Sequence, residues 1–252
     1  MSSLSRRLAL LFLALGFLTR LAPGRKAEPA ELGASLPCFP VVGLILGLLL
    51  VAPFAFGLLA GHGLIQGWLF AICYLWATRG LHWDGWCDIW DAWGSSARGD
   101  RFFVILKDSR VGAFGVMGLV LGLGGQVLLF GECLQHNAFG VCVWAMVLGR
   151  TAQPVLAWAD RDLARPGLAA IFLAQATGRA TLVALGAGLA MGVFLAPLAV
   201  LGTSLGLAAV GLAMLHVLAR SRGGLNGDFL GAAGVWAELS APLAYLVVEG
   251  CP

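Results

Sequence analysis

Charged side chains are scarce: Asp, Glu, Lys and Arg make up 12% of the 252 residues, 60% are hydrophobic, and the mean hydropathy is +0.89. So little charge excludes a solvated globular protein, because there is far more apolar surface than one soluble core could hide. The chain belongs in a bilayer. It also lacks a linker long enough to separate a second domain, so residues 1–252 read as one integral membrane domain. Paired cysteines are missing too. Cys38, Cys73, Cys87, Cys133, Cys142 and Cys251 form no CxxC motif, and most lie in apolar runs, where cysteine acts as a small hydrophobe. No run alternates with period two, which excludes a membrane barrel. The formal net charge of +3 gives no ground for a nucleic-acid partner.

What is present is a series of long apolar runs. Residues Leu32 to Thr78 carry no charge and are interrupted near Gly61, His62 and Gly63, which suggests two helices joined by a tight turn. Ala180 to Ala219 reads as a second pair, broken around Pro197 to Ser204 with its turn near Gly202. Single spans are expected near Val111 to Gly131, Ala138 to Trp158 and Phe229 to Val248. The expected fold is all-α, a polytopic transmembrane bundle of about six spans, the two pairs and three single runs allowing at most seven. Leu8 to Leu18 is too short for a comfortable crossing and reads as an interfacial or re-entrant helix. Arg6 and Arg7 before this run imitate a signal peptide, but Thr19 and Arg20 stand where a cleavage site should lie, so the segment is expected to be retained. Glycine, 36 residues in all, would let these helices pack closely.

The loops separate by charge. Arg20, Arg25, Lys26, Arg79, Arg98, Arg101, Lys107, Arg110, Arg161, Arg165, Arg179, Arg220 and Arg222 fall on one side, whereas GHG and GECLQHN on the other hold no Lys or Arg. The positive-inside rule makes the first side cytoplasmic. On that side, residues 79–110 form the most polar connection. Asp84, Asp88 and Asp91 follow i, i+4, i+7 spacing and share a helical face, where hard oxygen donors suit Mg²⁺ or Mn²⁺. Trp83, Trp86, Trp90 and Trp93 occupy the opposite face and read as packing. Lys107, Asp108, Ser109 and Arg110 end the segment with two cations able to clamp a diphosphate. Gly223 to Asp228 is a glycine-rich loop whose backbone can approach a ligand closely, and Asp228 can cap the helix that follows. Glu238 lies inside the last span and should face the bundle interior. His82 could donate to a phosphate or help position the metal ligands, while His62, His136 and His216 read as structural, without charged company.

These residues resemble the cobalamin 5′-phosphate synthases, or adenosylcobinamide-GDP ribazoletransferases, over nearly the whole chain. GLHWDGWCDIWDAWG resembles the family core through His82, Asp84, Gly85, Asp88 and Asp91, and KDSRVGAFGV resembles its second motif through Lys107 to Arg110, Gly112 and Gly115. FLTRL at Phe17, FPVVGLILG at Phe39, ARPGL at Ala164 and GGLNGDFLGA at Gly223 support it. The chain departs from the pattern at Arg79, Trp83, Ala92, Asn226 and Val235. The resemblance implies a Mg²⁺-dependent phosphotransferase joining adenosylcobinamide-GDP to α-ribazole or α-ribazole 5′-phosphate, with release of GMP. It implies Asp84, Asp88 and Asp91 as metal ligands, Asp91 or Asp108 as ligand or general base, and His82, Lys107, Ser109, Arg110, Arg165 and Asp228 as substrate-binding. A CDP-alcohol phosphotransferase would need D-x-x-D-G-x-x-A-R, which is absent, and a transporter would put its ionisable groups within the spans. Oligomeric state is left open, a homo-oligomer included.

Overall fold

The computed structural model describes residues 3–250, so Cys251 lies outside the described residues. The described residues contain twelve α-helices and no strand. They are α1 (Ser3–Leu18), α2 (Pro29–Ala34), α3 (Phe39–Ala55), α4 (Gly63–Thr78), α5 (Leu81–Gly94), α6 (Asp100–Leu106), α7 (Ala113–Gln135), α8 (Phe139–Ala159), α9 (Leu168–Gln175), α10 (Gly178–Leu195), α11 (Leu198–Arg222) and α12 (Gly227–Glu249). Six are long and apolar enough to cross a membrane: α2 continuing into α3, then α7, α8, α10, α11 and α12. The shorter apolar α4 lies between them in the chain, so the multi-pass all-α bundle expected from the apolar runs is what forms.

Helix α8 is the central post, most of its residues being buried, and glycine explains how its neighbours reach it. A side chain at Gly43 on α3 would collide with the Met146 carbonyl, and one at Gly188 on α10 with Thr151. Removing Cβ lets backbones approach until many weak dispersion contacts form at once. The same device joins α4 to α7, where Gly67 meets Val127 and Gly131 and the Phe70 and Phe130 rings stack 4.4 Å apart.

The break between α10 and α11 sits at Ala196 and Pro197, not near Gly202, which is helical. Ala196 is extended (φ −136°, ψ 148°), as the residue before a proline tends to be, and Pro197 starts the next helix without an amide to satisfy. Helix α1 ends beside the end of α4. Arg79 donates to the Phe17 and Gly16 carbonyls at 2.6 and 3.2 Å, while the Arg20 amide and Nε donate to Ala77 and Trp76 carbonyls at 2.7 and 2.9 Å. Each helix thereby has its orphan C-terminal carbonyls met by an arginine of the other.

One charged residue escaped the loop-by-loop reading. Arg150 lies within α8, fully buried, in an ion pair with Glu238 of α12, and Tyr74 of α4 donates to the same carboxylate at 3.1 Å. Glu238 does face the interior as expected, and Arg150 is its counter-ion.

Candidate active site

Helix α5 begins with a sharp reversal. Arg79 and Gly80 both adopt left-handed backbone (φ 59° and 67°), ending α4 and starting α5 within two residues. The tryptophan face then decides the helix's orientation. Trp86 donates from Nε1 to the Gly118 carbonyl of α7 at 2.9 Å, Trp90 packs over Gly118, and Trp83 reaches Gly122. With that face against α7, the carboxylates turn outward: Asp84 is exposed, and Asp88 and Asp91 are half-buried. Trp83, Trp86 and Trp90 are packing residues, as their spacing suggested, whereas Trp93 is exposed and packs edge-on against Trp90.

The fourth carboxylate comes from the other end of the chain. Helices α5 and α12 cross with their backbones touching: a Cβ on Gly85 would lie 2.8 Å from Asp228 Cα, and one on Gly231 would lie 3.2 Å from the His82 carbonyl. This crossing sets Asp228 against α5 beside Asp84 and Asp88. Asn226 donates to Asp228 Oδ2 at 2.7 Å and aims the carboxylate. Among the described residues, no Arg or Lys pairs with Asp84, Asp88, Asp91 or Asp228, so their negative charge is uncompensated. Asp88 registers this. Burial, and then the charges of Asp228, Asp84 and Asp91, push its carboxyl up from 3.8 to about 7.

Asp91 is engaged differently from its neighbours. Its two oxygens accept from the amides of Gly112 and Gly115, both at 2.7 Å, so it caps the N-terminus of α7 from an adjacent helix. A side chain at Gly112 or Gly115 would collide with that carboxylate, which gives both glycines of the second motif a reason. Among the described residues no group of three or more His, Cys, Asp and Glu forms a ready-made metal cage, and this holds for Asp84, Asp88 and Asp91 as for Asp84, Asp88 and Asp228. An ion of the Mg²⁺ type needs less: one or two carboxylates, with waters and substrate phosphates completing its shell. The uncompensated all-oxygen cluster of Asp84, Asp88 and Asp228 fits that demand.

The remaining expected residues divide. Lys107, Asp108, Ser109 and Arg110 are exposed on the loop that Asp91 anchors. Asp108 is taken up by Arg110, accepting from its Nη2 at 2.7 Å and its Nε at 3.0 Å, which holds the carboxyl down at about 2. Arg165 lies over the Phe103 ring at 4.2 Å and donates to Asp100 at 2.9 Å, and its backbone pairs with Leu225, fastening the ARPGL segment to the glycine-rich loop. His82 turns away from the open acidic face. It is 3% exposed, with Nε2 2.9 Å from Gln153 Nε2 of α8.

Three features were missed in the sequence. The Arg150–Glu238 pair had a signal, one basic residue in an apolar span and one acidic residue in another. Gln153 had none. The His216 reading needs correction, because its Nδ1 lies 2.7 Å from buried Asp160, with Arg220 Nε 3.6 Å from the same oxygen. Those partners sit on α11 and at the end of α8, a proximity that only the fold creates.

Known proteins share this arrangement at the level of sequence. A family model described as cobalamin-5-phosphate synthase matches residues 10–246. An adenosylcobinamide-GDP ribazoletransferase of Nitratidesulfovibrio vulgaris (strain DSM 19637 / Miyazaki F) is 52% identical over 94% of both chains. Another from strain DP4 is 44% identical over 92% of this chain and 95% of its own. One from Klebsiella pneumoniae (strain 342) is 33% identical over 93% and 98%. No solved structure matches. With the family model spanning nearly all of the described bundle, and the acidic α5 motif and glycine-rich α12 loop meeting in one site, this chain belongs to the cobalamin-5-phosphate synthase family.

Proposed function

We propose that the protein transfers the corrinoid phosphoryl moiety of adenosylcobinamide-GDP to α-ribazole or its 5′-phosphate and releases GMP, the step that completes the nucleotide loop of cobalamin. Three curated relatives carry the ribazoletransferase name, and the site has the parts such a reaction requires. The observation that carries the reading is the backbone-to-backbone crossing at Gly85 and Gly231, which gathers Asp84, Asp88 and Asp228 without a cationic partner.

In this reading the acceptor's 3′-hydroxyl attacks the phosphorus next to the corrinoid's aminopropanol arm. A new O–P bond forms, the P–O bond to the GMP unit breaks, and GMP leaves with the electron pair. The hydroxyl proton passes to a carboxylate of the cluster. Asp84, Asp88 and Asp228 would hold Mg²⁺, which when bound supplies positive charge to the diphosphate oxygens. Lys107 would add positive charge from the loop, and Arg110 would do so on exchanging Asp108 for a phosphate. Asp91 holds that loop in place through the start of α7 rather than touching the ion. The arginine-rich end of the bundle supports a bacterial inner-membrane protein whose site faces the cytoplasm.

Purified protein in detergent, given adenosylcobinamide-GDP, α-ribazole and Mg²⁺, should release GMP and form a complete corrinoid. Absence of both products from a folded preparation would refute the assignment. Asp84→Asn should lower kcat by at least about 100-fold, since it withdraws a charge from the cluster that neutralises the transferring group.

A further inference from the structure

The crossing of α5 and α12 carries the site, and a third helix pins it. Gln153 of α8 is 3% exposed and sends its side-chain amide to both partners at once. Its Nε2 lies 2.9 Å from His82 Nε2 on α5 and donates to the Leu230 carbonyl of α12 at 3.2 Å. Room for this amide is made by Gly234, where a Cβ would come within 2.9 Å of Nε2. The Leu230 carbonyl lies two residues beyond Asp228, and His82 lies two residues before Asp84. An amide nitrogen only donates, so His82 Nε2 must accept and the ring proton sits on Nδ1.

We infer that Gln153 is a positioning residue for the phosphotransfer site: it fixes the register of the α5–α12 crossing and so the spacing of Asp84 and Asp88 from Asp228, without touching substrate. This inference rests on the proposed metal-assisted reaction. In it, His82 acts through Gln153 and not as a phosphate donor. Small changes at such a crossing matter because a displacement of about 1 Å at a reacting centre costs on the order of 100-fold in rate.

The test uses full-length protein in detergent, with Mn²⁺ affinity read by EPR alongside turnover. Gln153→Met keeps the length and volume of the side chain but cannot donate. It should weaken Mn²⁺ binding about 10-fold, as loss of an outer-shell partner does, and lower kcat at least 10-fold with KM for the diphosphate changed less than about threefold. His82→Gln puts an oxygen where Nε2 stood and should behave nearer to wild type than His82→Leu, which should match Gln153→Met. The Gln153→Met, His82→Leu double variant should be no worse than either single change. If Gln153→Met does not fold, the contrast between His82→Gln and His82→Leu decides the matter. Wild-type Mn²⁺ affinity and kcat in folded Gln153→Met, or equal losses in both His82 variants, would overturn the inference. The functional reading fails on a different result, a wild-type protein that binds Mn²⁺ but releases no GMP, while the Mn²⁺ titrations still report on Gln153.

Discussion

Replacing Gly85 with alanine adds a single methyl group at the point where the site is assembled. Its carbon would lie 2.8 Å from Asp228 Cα and 2.9 Å from the Asp228 carbonyl oxygen, where ordinary contact begins at 3.4 Å. Both obstacles are backbone, so no side chain can swing aside, and α12 must retreat by roughly 0.6 Å or more at its first turn. Asp228 moves with it, away from Asp84 and Asp88. The expected loss in kcat is on the order of 100-fold, the scale of a 1 Å misplacement. Stability should change much less, because the overpacking cost of about 1–3 kcal/mol is offset by about 1 kcal/mol of improved helix propensity. The assay pairs GMP release with thermal unfolding in detergent, using Gly124→Ala as a control. A Cβ added at Gly124 of α7 would meet nothing within 4 Å, so that position should tolerate the methyl with activity intact. Wild-type kcat in Gly85→Ala would refute the claim that this crossing sets the carboxylate spacing, and a kcat loss matched by Gly124→Ala would refute its locality.

Four other outcomes follow from the structure. Asp91→Ala removes the acceptor for the Gly112 and Gly115 amides, so it should cost about 1–2 kcal/mol of stability and raise KM for the nucleotide-linked substrate, yet leave Mn²⁺ affinity within about threefold; a Mn²⁺ loss equal to that of Asp84→Asn would make Asp91 a ligand. Mn²⁺ must displace the proton that Asp88 holds below about pH 7, so its affinity measured by EPR should fall between pH 8 and pH 6, and a flat profile would refute the uncompensated cluster. The same raised pKa makes native protein hold more protons than unfolded chain between about pH 4 and 7, so metal-free stability should fall as pH rises across that window, an effect Mg²⁺ should reverse. Glu238→Ala strands fully buried Arg150 and should destabilise by about 3–5 kcal/mol, whereas Arg150→Met with Glu238→Leu should come back close to wild type in a melting experiment.

The apolar runs announced the bundle because a bilayer leaves few options for a chain with so little charge. Asp84, Asp88 and Asp91 were legible as a face because helical periodicity is local, and the tryptophans were legible as packing for the same reason. Periodicity could not distinguish the three carboxylates. Asp91 differs from Asp88 only because α7 happens to start beside it, 21 residues further on. Asp228 was placed at the site by the resemblance alone, because the crossing that brings it there joins helices more than 140 residues apart and leaves no mark in local spacing. His82 shows the same limit: two residues before Asp84 puts it on the opposite side of the helix, but what waits there is decided by α8. The Asp160–His216 contact needed two segments whose closeness no spacing encodes.

The clasp between Arg20 and Arg79 has a bearing on how the molecule is made. The α1 carbonyls meet their guanidinium partner only after 62 further residues have been synthesised, so this contact cannot form until the end of α4 has been made. A peptidase that trimmed the leader-like start in that interval would leave Arg79 with no carbonyls to grip. Shortened versions of the protein that begin after residue 20 should therefore reach the membrane but assemble poorly, while tags placed ahead of α1 should be harmless.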